Sequence, residues 1–350
     1  MSRADSRSFA QRVLIAASIV VALVALIYLV LILARVLLIV FAGVLMALFL
    51  GGGAKELRRH TPLSRPSALT AVTVGVVLLG TAIAMTVGPD LSGQINDLVA
   101  QLPDAVSRLR AQVVEQEWAQ RLAQDTDLIS RLTPAPSDVV GGVTGAFSAT
   151  LGYLTNGFII LFIGIYGAAT PQPYVSGILH LVPKKRRRRA QEILDAVAHA
   201  LRWWMVGRLT MMAVVGVLTG TGLWIAGIPS PLALGLVAAL LAFVPYVGPL
   251  LSMIPALLIA LLVSATKVLY VLIVYTLVQT LESYLITPLV QRRAVSLPPV
   301  ILITAQIAMG VLAGATGVFL ATPLAVTVIV LLQMLYVEDV LGDSVHVLGQ

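Results

Sequence analysis

Glu282 lies in Gln279-Thr-Leu-Glu-Ser-Tyr-Leu-Ile-Thr-Pro288, inside an otherwise apolar stretch. An acid at membrane depth costs about 2.5–3.5 kcal/mol on insertion scales and as a rule faces a cavity or a partner. On a regular helix Gln279, Glu282 and Ser283 share a face, with Ile286 next along it. Proton or cation binding is the chemistry open to such a carboxylate. The plainer reading is a structural acid that caps a broken helix or pairs with Arg292 or Arg293. A second feature is the cluster of Pro245, Gly248, Pro249 and Pro255 between two apolar runs. Proline removes a main-chain donor and frees a carbonyl, and in an apolar medium that carbonyl needs a polar partner or a cavity. Unwound backbone of this kind can coordinate a solute or an ion; equally, it can be a kink that only shapes packing. The candidate pathway is therefore Pro245, Tyr246, Gly248, Pro249, Gln279, Glu282 and Tyr284. Lys267, Gln306 and Gln333 are weaker candidates, and Lys267 is expected to snorkel.

Other chemistries find no support. There is no Cys, so thiol nucleophiles, disulfides and Cys-ligated metals are excluded. His60, His180, His199 and His346 are scattered and form no metal-binding spacing. Gly51-Gly-Gly-Ala-Lys55 lacks the spacing of a phosphate loop, and no G-x-S-x-G occurs. With no nucleophile–base set and no paired acids, no catalytic residue, enzyme activity, cofactor or metal is expected.

The elements that must position these residues are set by composition. AVILMFWYC make up 59% of 350 residues and DEKR only 11%, against about 25% charged in soluble domains. The mean hydropathy is +0.97. A globule of this make-up lacks the polar side chains to cover a water-facing surface, which leaves an all-α, polytopic transmembrane protein. The net charge of +7 is ascribed to cytoplasmic loops facing anionic lipid rather than to a nucleic-acid partner.

A span needs about 20 apolar residues. Residues 1–12 form a basic N-terminus, expected to be cytoplasmic. Residues 13–34 are too long for a cleaved leader and are expected to be retained. Residues 36–50 return across the membrane, with Arg35 near the outer turn, into a basic loop that begins at Gly51. Residues 68–88 complete three helices within 13–88. Residues 89–143 carry eight acids against four bases and a helical periodicity from Leu98 to Val113, predicting an external helical insert. Residues 144–336 hold the remaining helices. They include a basic cytoplasmic segment, 180–205, in which Lys184 to Arg189 anchors at headgroups and Arg202-Trp203-Trp204 marks the interface. Residues 206–227 form a clean span and residues 337–350 a tail. Residues 232–265 either cross once or form a hairpin bent at Pro245–Pro249; positive-inside counting prefers the hairpin. Residues 300–335 are expected to bend likewise near Gly314. Either way there are seven or eight hydrophobic segments, some broken by Pro or Gly. Gly216-x-x-x-Gly220 and Gly310-x-x-x-Gly314 predict close helix approach.

Four ordered motifs carry a resemblance: Phe243-Val-Pro-Tyr-Val-Gly-Pro249 followed by Ile254-Pro-Ala256; Gln279-x-x-Glu-Ser-Tyr-x-x-x-Pro288; Leu297-Pro-Pro-Val300; and Gly314-x-x-Gly-x-x-x-Ala-x-Pro323. Gly207-Arg-Leu209, followed by Gly216 and Gly220, fits as well. Over residues 13–336 the sequence resembles the AI-2E family, the autoinducer-2 exporters. The resemblance implies an inner-membrane protein with about eight helices, an external insert after the third, and homo-oligomers such as pentamers. It implies a small-molecule or ion substrate: export of an autoinducer-2-like polar molecule, or sodium(lithium)/proton antiport. A membrane scaffold or regulator without transport is the reading from a different class.

Overall fold

The computed structural model describes residues 33–82, 85, 157–286 and 298–343. Among these the regular structure is entirely helical. The first candidate span, residues 13–32 in the main, and the whole insert at 89–143 lie outside the described residues.

Helix α1 is Leu33–His60 and α2 is Arg65–Ala82. Helix α3, Gly157–Ala169, bends by 86° into α4, Pro171–His180. Pro171 at the first position of α4 starts the new axis. A short 3₁₀ turn, Lys184–Arg186, leads into α5, Arg187–Ile225. Helices α6, Pro231–Leu241, and α7, Val247–Val263, follow. Helix α8, Ala265–Leu281, passes into a π-helical turn, Glu282–Ile286. Helix α9, Pro299–Leu332, ends in a second π turn, Gln333–Glu338. Five of these stretches are long and apolar enough to cross a membrane, or six if the bent α3–α4 pair forms one span.

Two boundaries differ from the sequence reading. Residues 51–60 continue α1 instead of opening a loop, and Arg35 lies inside that helix. Of the three glycines that suggest a loop, only Gly53 is closely packed, its Cβ position 3.1 Å from Val72; the tight approach of α1 to α3 is made elsewhere. The bare backbone at Gly43 meets Ile163, Gly164 of α3 meets Met46, and a Cβ at Gly167 would stand 2.9 Å from that of Ala47. Leu50, Ala54, Ala68, Leu69 and Ala168 close a core among α1, α2 and α3. The basic segment expected at 180–205 and the separate span expected from 206 are not divided: one continuous α5 runs from Arg187 to Ile225.

Helix α5 ends by a full Schellman closure. Gly227, with φ of 63°, takes the left-handed position. Its N–H donates to Trp224 O at 2.9 Å, and Ile228 N–H donates to Leu223 O at 3.0 Å. The buried side chains of Ile228 and Leu223 share one core cluster, the contact that accompanies this motif. Lys267, expected to snorkel, donates its Nζ to Ala226 O at 2.5 Å and completes the cap.

Helices α6 and α7 settle the shape of residues 231–263. At about 1.5 Å per residue they are roughly 16 and 26 Å long, short of the hydrocarbon core of about 30 Å. Leu234 of α6 packs with Ala256, Ile259 and Ala260 of α7, so the chain doubles back as a hairpin. At its bend the bare backbone of Gly248 lies against Leu241 O, where a Cβ would not fit. Gly216 and Gly220 of α5 receive this hairpin: a Cβ on Gly235 of α6 would stand 2.7 Å from Gly220 Cα and 2.8 Å from Gly216 O. The small-residue spacing of α5 thus serves contact within the chain.

Helix α9 folds the same way. Gly314 takes φ 62° and ψ −146°, a region open in practice only to glycine. Beyond it, the bare backbone of Gly317 lies against Met309 O. Those residues would be about 12 Å apart along a straight helix, so limbs 299–313 and 315–332 form a second hairpin. Leu302 of one limb shares a core with Leu320, Val326 and Val330 of the other, with Leu38 and Leu45 of α1, and with Leu201 and Trp204 of α5. Past the second limb, Arg189 ties the chain end to α5: it donates to Glu338 at 2.6 Å, to Asp339 at 3.0 Å and to Met334 O at 3.2 Å. The basic run, expected to anchor at headgroups, therefore holds an internal clasp through Arg189.

Gly248→Ala is expected to destabilise the protein by about 1–3 kcal/mol through overpacking. Gly52→Ala, where a Cβ meets nothing within 4 Å, should be near neutral. Thermal unfolding of the purified variants in one detergent checks this, with the Gly248 variant several degrees lower.

Candidate functional site

The site grows from a shortage of main-chain donors. In a helix the N–H of residue 249 would reach the carbonyl of residue 245, but residue 249 is proline. The N–H of Val247 turns to Pro245 O at 2.7 Å and so leaves Phe243 O as well. Two carbonyls in the connector between α6 and α7 thus lose their helical partners. Side chains from other elements take them. Arg208 Nε of α5 donates to Phe243 O at 2.9 Å. Gln306 Nε2, from the first limb of the second hairpin, donates to Pro245 O at 2.9 Å.

The connector is also clamped by aromatic rings. Phe243 stacks on Phe319 of α9, with centroids 3.9 Å apart and 11° between planes. Trp204, one turn before Arg208, meets Phe243 edge-on at 5.5 Å. Both hairpins and α5 therefore converge on one residue. Tyr246 holds φ of 63°, a conformation that costs a non-glycine residue about 1–3 kcal/mol and is sustained by these contacts.

Arg208, Gln306 and Glu282 are buried, at 9%, 3% and 7% exposure. Glu282 accepts a hydrogen bond from Gln279 Nε2 at 3.4 Å. Arg208 and Glu282 act on one another through space, and no ion pair of 4.0 Å or less joins them. Arg208 Nη2 and Gln306 Oε1 are buried without a hydrogen-bond partner. A buried polar atom left so costs about 1–3 kcal/mol. The cluster thus presents a cationic donor, an amide acceptor and a carboxylate beside unwound backbone, a set able to exchange hydrogen bonds with a small polar solute. Among the described residues no group of His, Asp and Glu could hold a metal ion.

The sequence candidates fall into three places. Pro245, Gln279 and Glu282 belong to the polar cluster. Gly248 and Pro249 shape the bend; Pro249 O accepts from Ser252 Oγ at 3.0 Å, and Ser252 O accepts from Tyr275 OH at 2.9 Å. Tyr246 is partly exposed and Tyr284 is 79% exposed on the outer surface. Ser283 is exposed next to buried Glu282, because the buried stripe runs at helical steps through Tyr275, Val278 and Glu282 and the following residue points about 100° away. Arg292 and Arg293, considered as partners of Glu282, lie outside the described residues. Arg208 was not among the candidates. Its signal was the same as that of Glu282, a charge in an apolar span, but it was read only as part of a motif.

Gln306→Leu should remove the donor from Pro245 O and lower stability by about 1–3 kcal/mol. Chemical denaturation in detergent checks this. A variant as stable as the parent would show that Gln306 does not hold the connector.

Residues 18–336 match the family described as AI-2E family transporter. Two proteins of Bacillus subtilis (strain 168) bear the name "Putative transport protein", YrrI and YueF. YrrI is 30% identical over 243 residues, covering 67% of this chain and 68% of YrrI. YueF is 28% identical over 272 residues, covering 74% of each chain. A protein of the same designation from Mycobacterium tuberculosis (strain CDC 1551 / Oshkosh) is 28% identical over 269 residues, covering 73% of this chain and 71% of its own.

Proposed function

The chain belongs to the AI-2E family of transporters, and from that premise we propose that it exports a small polar molecule past the ends of its two hairpins. It is a multi-pass helical membrane protein. The observation that carries the proposal is the polar cluster at the α6–α7 connector. Two freed carbonyls there are held by Arg208 and Gln306, and both side chains keep an unpartnered polar atom. Arg208 Nη2 and Gln306 Oε1 offer a donor and an acceptor, to water or to a solute with hydroxyl or carbonyl groups such as an autoinducer-2-like molecule.

Glu282 serves in this reading as the coupling carboxylate. It is buried in the membrane-spanning part, bonded on one oxygen by Gln279 and opposed by the Arg208 charge. Loss of its charge would loosen that electrostatic link, and occupancy of the site would be felt at Glu282. The same carboxylate supports a second reading, sodium(lithium)/proton antiport, in which the ion itself is the cargo. In this reading residues 180–205 face the cytoplasm, by the positive-inside rule, and the membrane is the inner one that the family resemblance implies.

Liposomes holding the purified protein provide the test. Flux of autoinducer-2, or exchange of sodium for protons, is measured with and without a pH gradient. Glu282→Gln should abolish dependence on the gradient, because an amide cannot titrate. Arg208→Gln should reduce flux at least tenfold. Gradient-dependent flux that persists in Glu282→Gln would remove Glu282 from the mechanism. No flux of either kind by the parent protein would favour a scaffold without transport.

A further inference from the structure

Away from the polar cluster, an open groove of about 630 Å³ runs between α1 and α5. Its lining has two chemistries. Leu48 and Phe49 of α1, with Met205, Val206 and Leu209 of α5, supply apolar walls. Lys55 and Arg59 of α1 and Arg202 of α5 supply cations. On α1 the step from Phe49 to Lys55, and on α5 the step from Arg202 to Leu209, is roughly 10 Å along the helix axis. Each helix therefore contributes a charged stretch and an apolar stretch to one slot. Trp203 lies in the same lining, and indole rings favour headgroup depth.

The cations outnumber the acid. Glu56, the one acid among the described residues that line the groove, pairs with Arg59 at 3.0 Å, where both side chains are mostly exposed. Lys55 has no ion-pair partner among the described residues. Arg202 commits only Nε, to Ala198 O at 3.1 Å. The floor is open: a Cβ on Gly52, which lines the groove, would meet nothing within 4 Å. The requirement is thus for an anionic head joined to an apolar tail, arriving from the membrane side.

We propose that this groove is a binding site for one anionic phospholipid. Its phosphate is held by Lys55, Arg59 and Arg202, and an acyl chain lies along Leu48, Phe49 and Leu209. The site is separate from the hairpin connector and does not depend on the transport reading. Basic slots between helices recognise anionic headgroups by the same physics.

Native mass spectrometry of the full chain in a neutral detergent tests this, with phosphatidylglycerol, phosphatidylethanolamine or inorganic phosphate added in separate arms. Phosphatidylglycerol should bind with at least tenfold preference over phosphatidylethanolamine, and millimolar phosphate should not displace it. Lys55→Gln combined with Arg202→Gln should cut phosphatidylglycerol binding about tenfold while leaving phosphatidylethanolamine unchanged. Gly52→Leu, which fills the floor and keeps every charge, should weaken phosphatidylglycerol binding too. Size-exclusion profiles confirm that both variants remain folded. Equal retention of the two lipids, displacement by free phosphate, or unchanged binding in both variants would overturn the proposal. So would cross-linking of two copies through Val206→Cys that lipid does not suppress; the chain's lack of native cysteine makes that readout clean.

Discussion

A main-chain carbonyl without a donor is tolerable in water and costly in hydrocarbon. Pro249 cannot supply an N–H to Pro245 O, and Val247, drawn to that oxygen, deserts Phe243 O. At the bend Arg208 arrives from elsewhere to donate to Phe243 O, and Gln306 adds a second donor to Pro245 O beside Val247 N–H. The charge on Arg208 strengthens its bond and brings a cation to a depth where charge is expensive. Glu282, within its electrostatic reach, offsets part of that expense. The carbonyl shortage, the arginine and the acid are thus successive consequences of one proline.

The bend also determines how the helices pack. Two limbs too short to cross the membrane singly must cover each other and lean on α5. Close approach at Gly216, Gly220 and Gly235 brings α6 onto α5, which puts Arg208 in range of the connector. The second hairpin, folded at Gly314, brings Gln306 and Phe319 from its two limbs to the same place. The stack of Phe319 on Phe243 and the edge of Trp204 add directional contact where apolar packing alone would allow sliding. Three elements therefore meet at a segment that carries no regular helix of its own, the arrangement in which unwound backbone is sustained at depth.

Much of this was legible in the residues. Membrane class followed from composition, whereas residues 232–265 left a single crossing or a hairpin open, with positive-inside counting preferring the hairpin. The fold in the last long run followed from its glycines, and the interest of Glu282 from an acid in an apolar span. Other features were not legible. Gly51 to Gly53 look like a loop because glycine weakens an isolated helix, yet α1 runs through them, with Leu50 and Ala54 on either side packed into the core shared with α2 and α3. The exposure of Ser283 was not legible either, because which of two adjacent helical residues is covered depends on the neighbouring helices that bury Tyr275, Val278 and Glu282. Lys267 looked like a snorkelling side chain because its partner, Ala226 O, is 41 residues away.

What the sequence determined by itself is the chemistry available: which runs are apolar, where main-chain donors are missing, and which few charged and amide side chains lie among them. Local composition fixes these because proline, glycine and charge act on their own helix whatever surrounds it. What only the tertiary structure decided is the pairing. Arg208 meets Phe243, Gln306 meets Pro245, and Arg189 meets the chain end across intervals of 35, 61 and about 150 residues. Hydrogen bonds and ring contacts of that span depend on how helices cross in space, and crossing is set by side-chain fit over many residues at once.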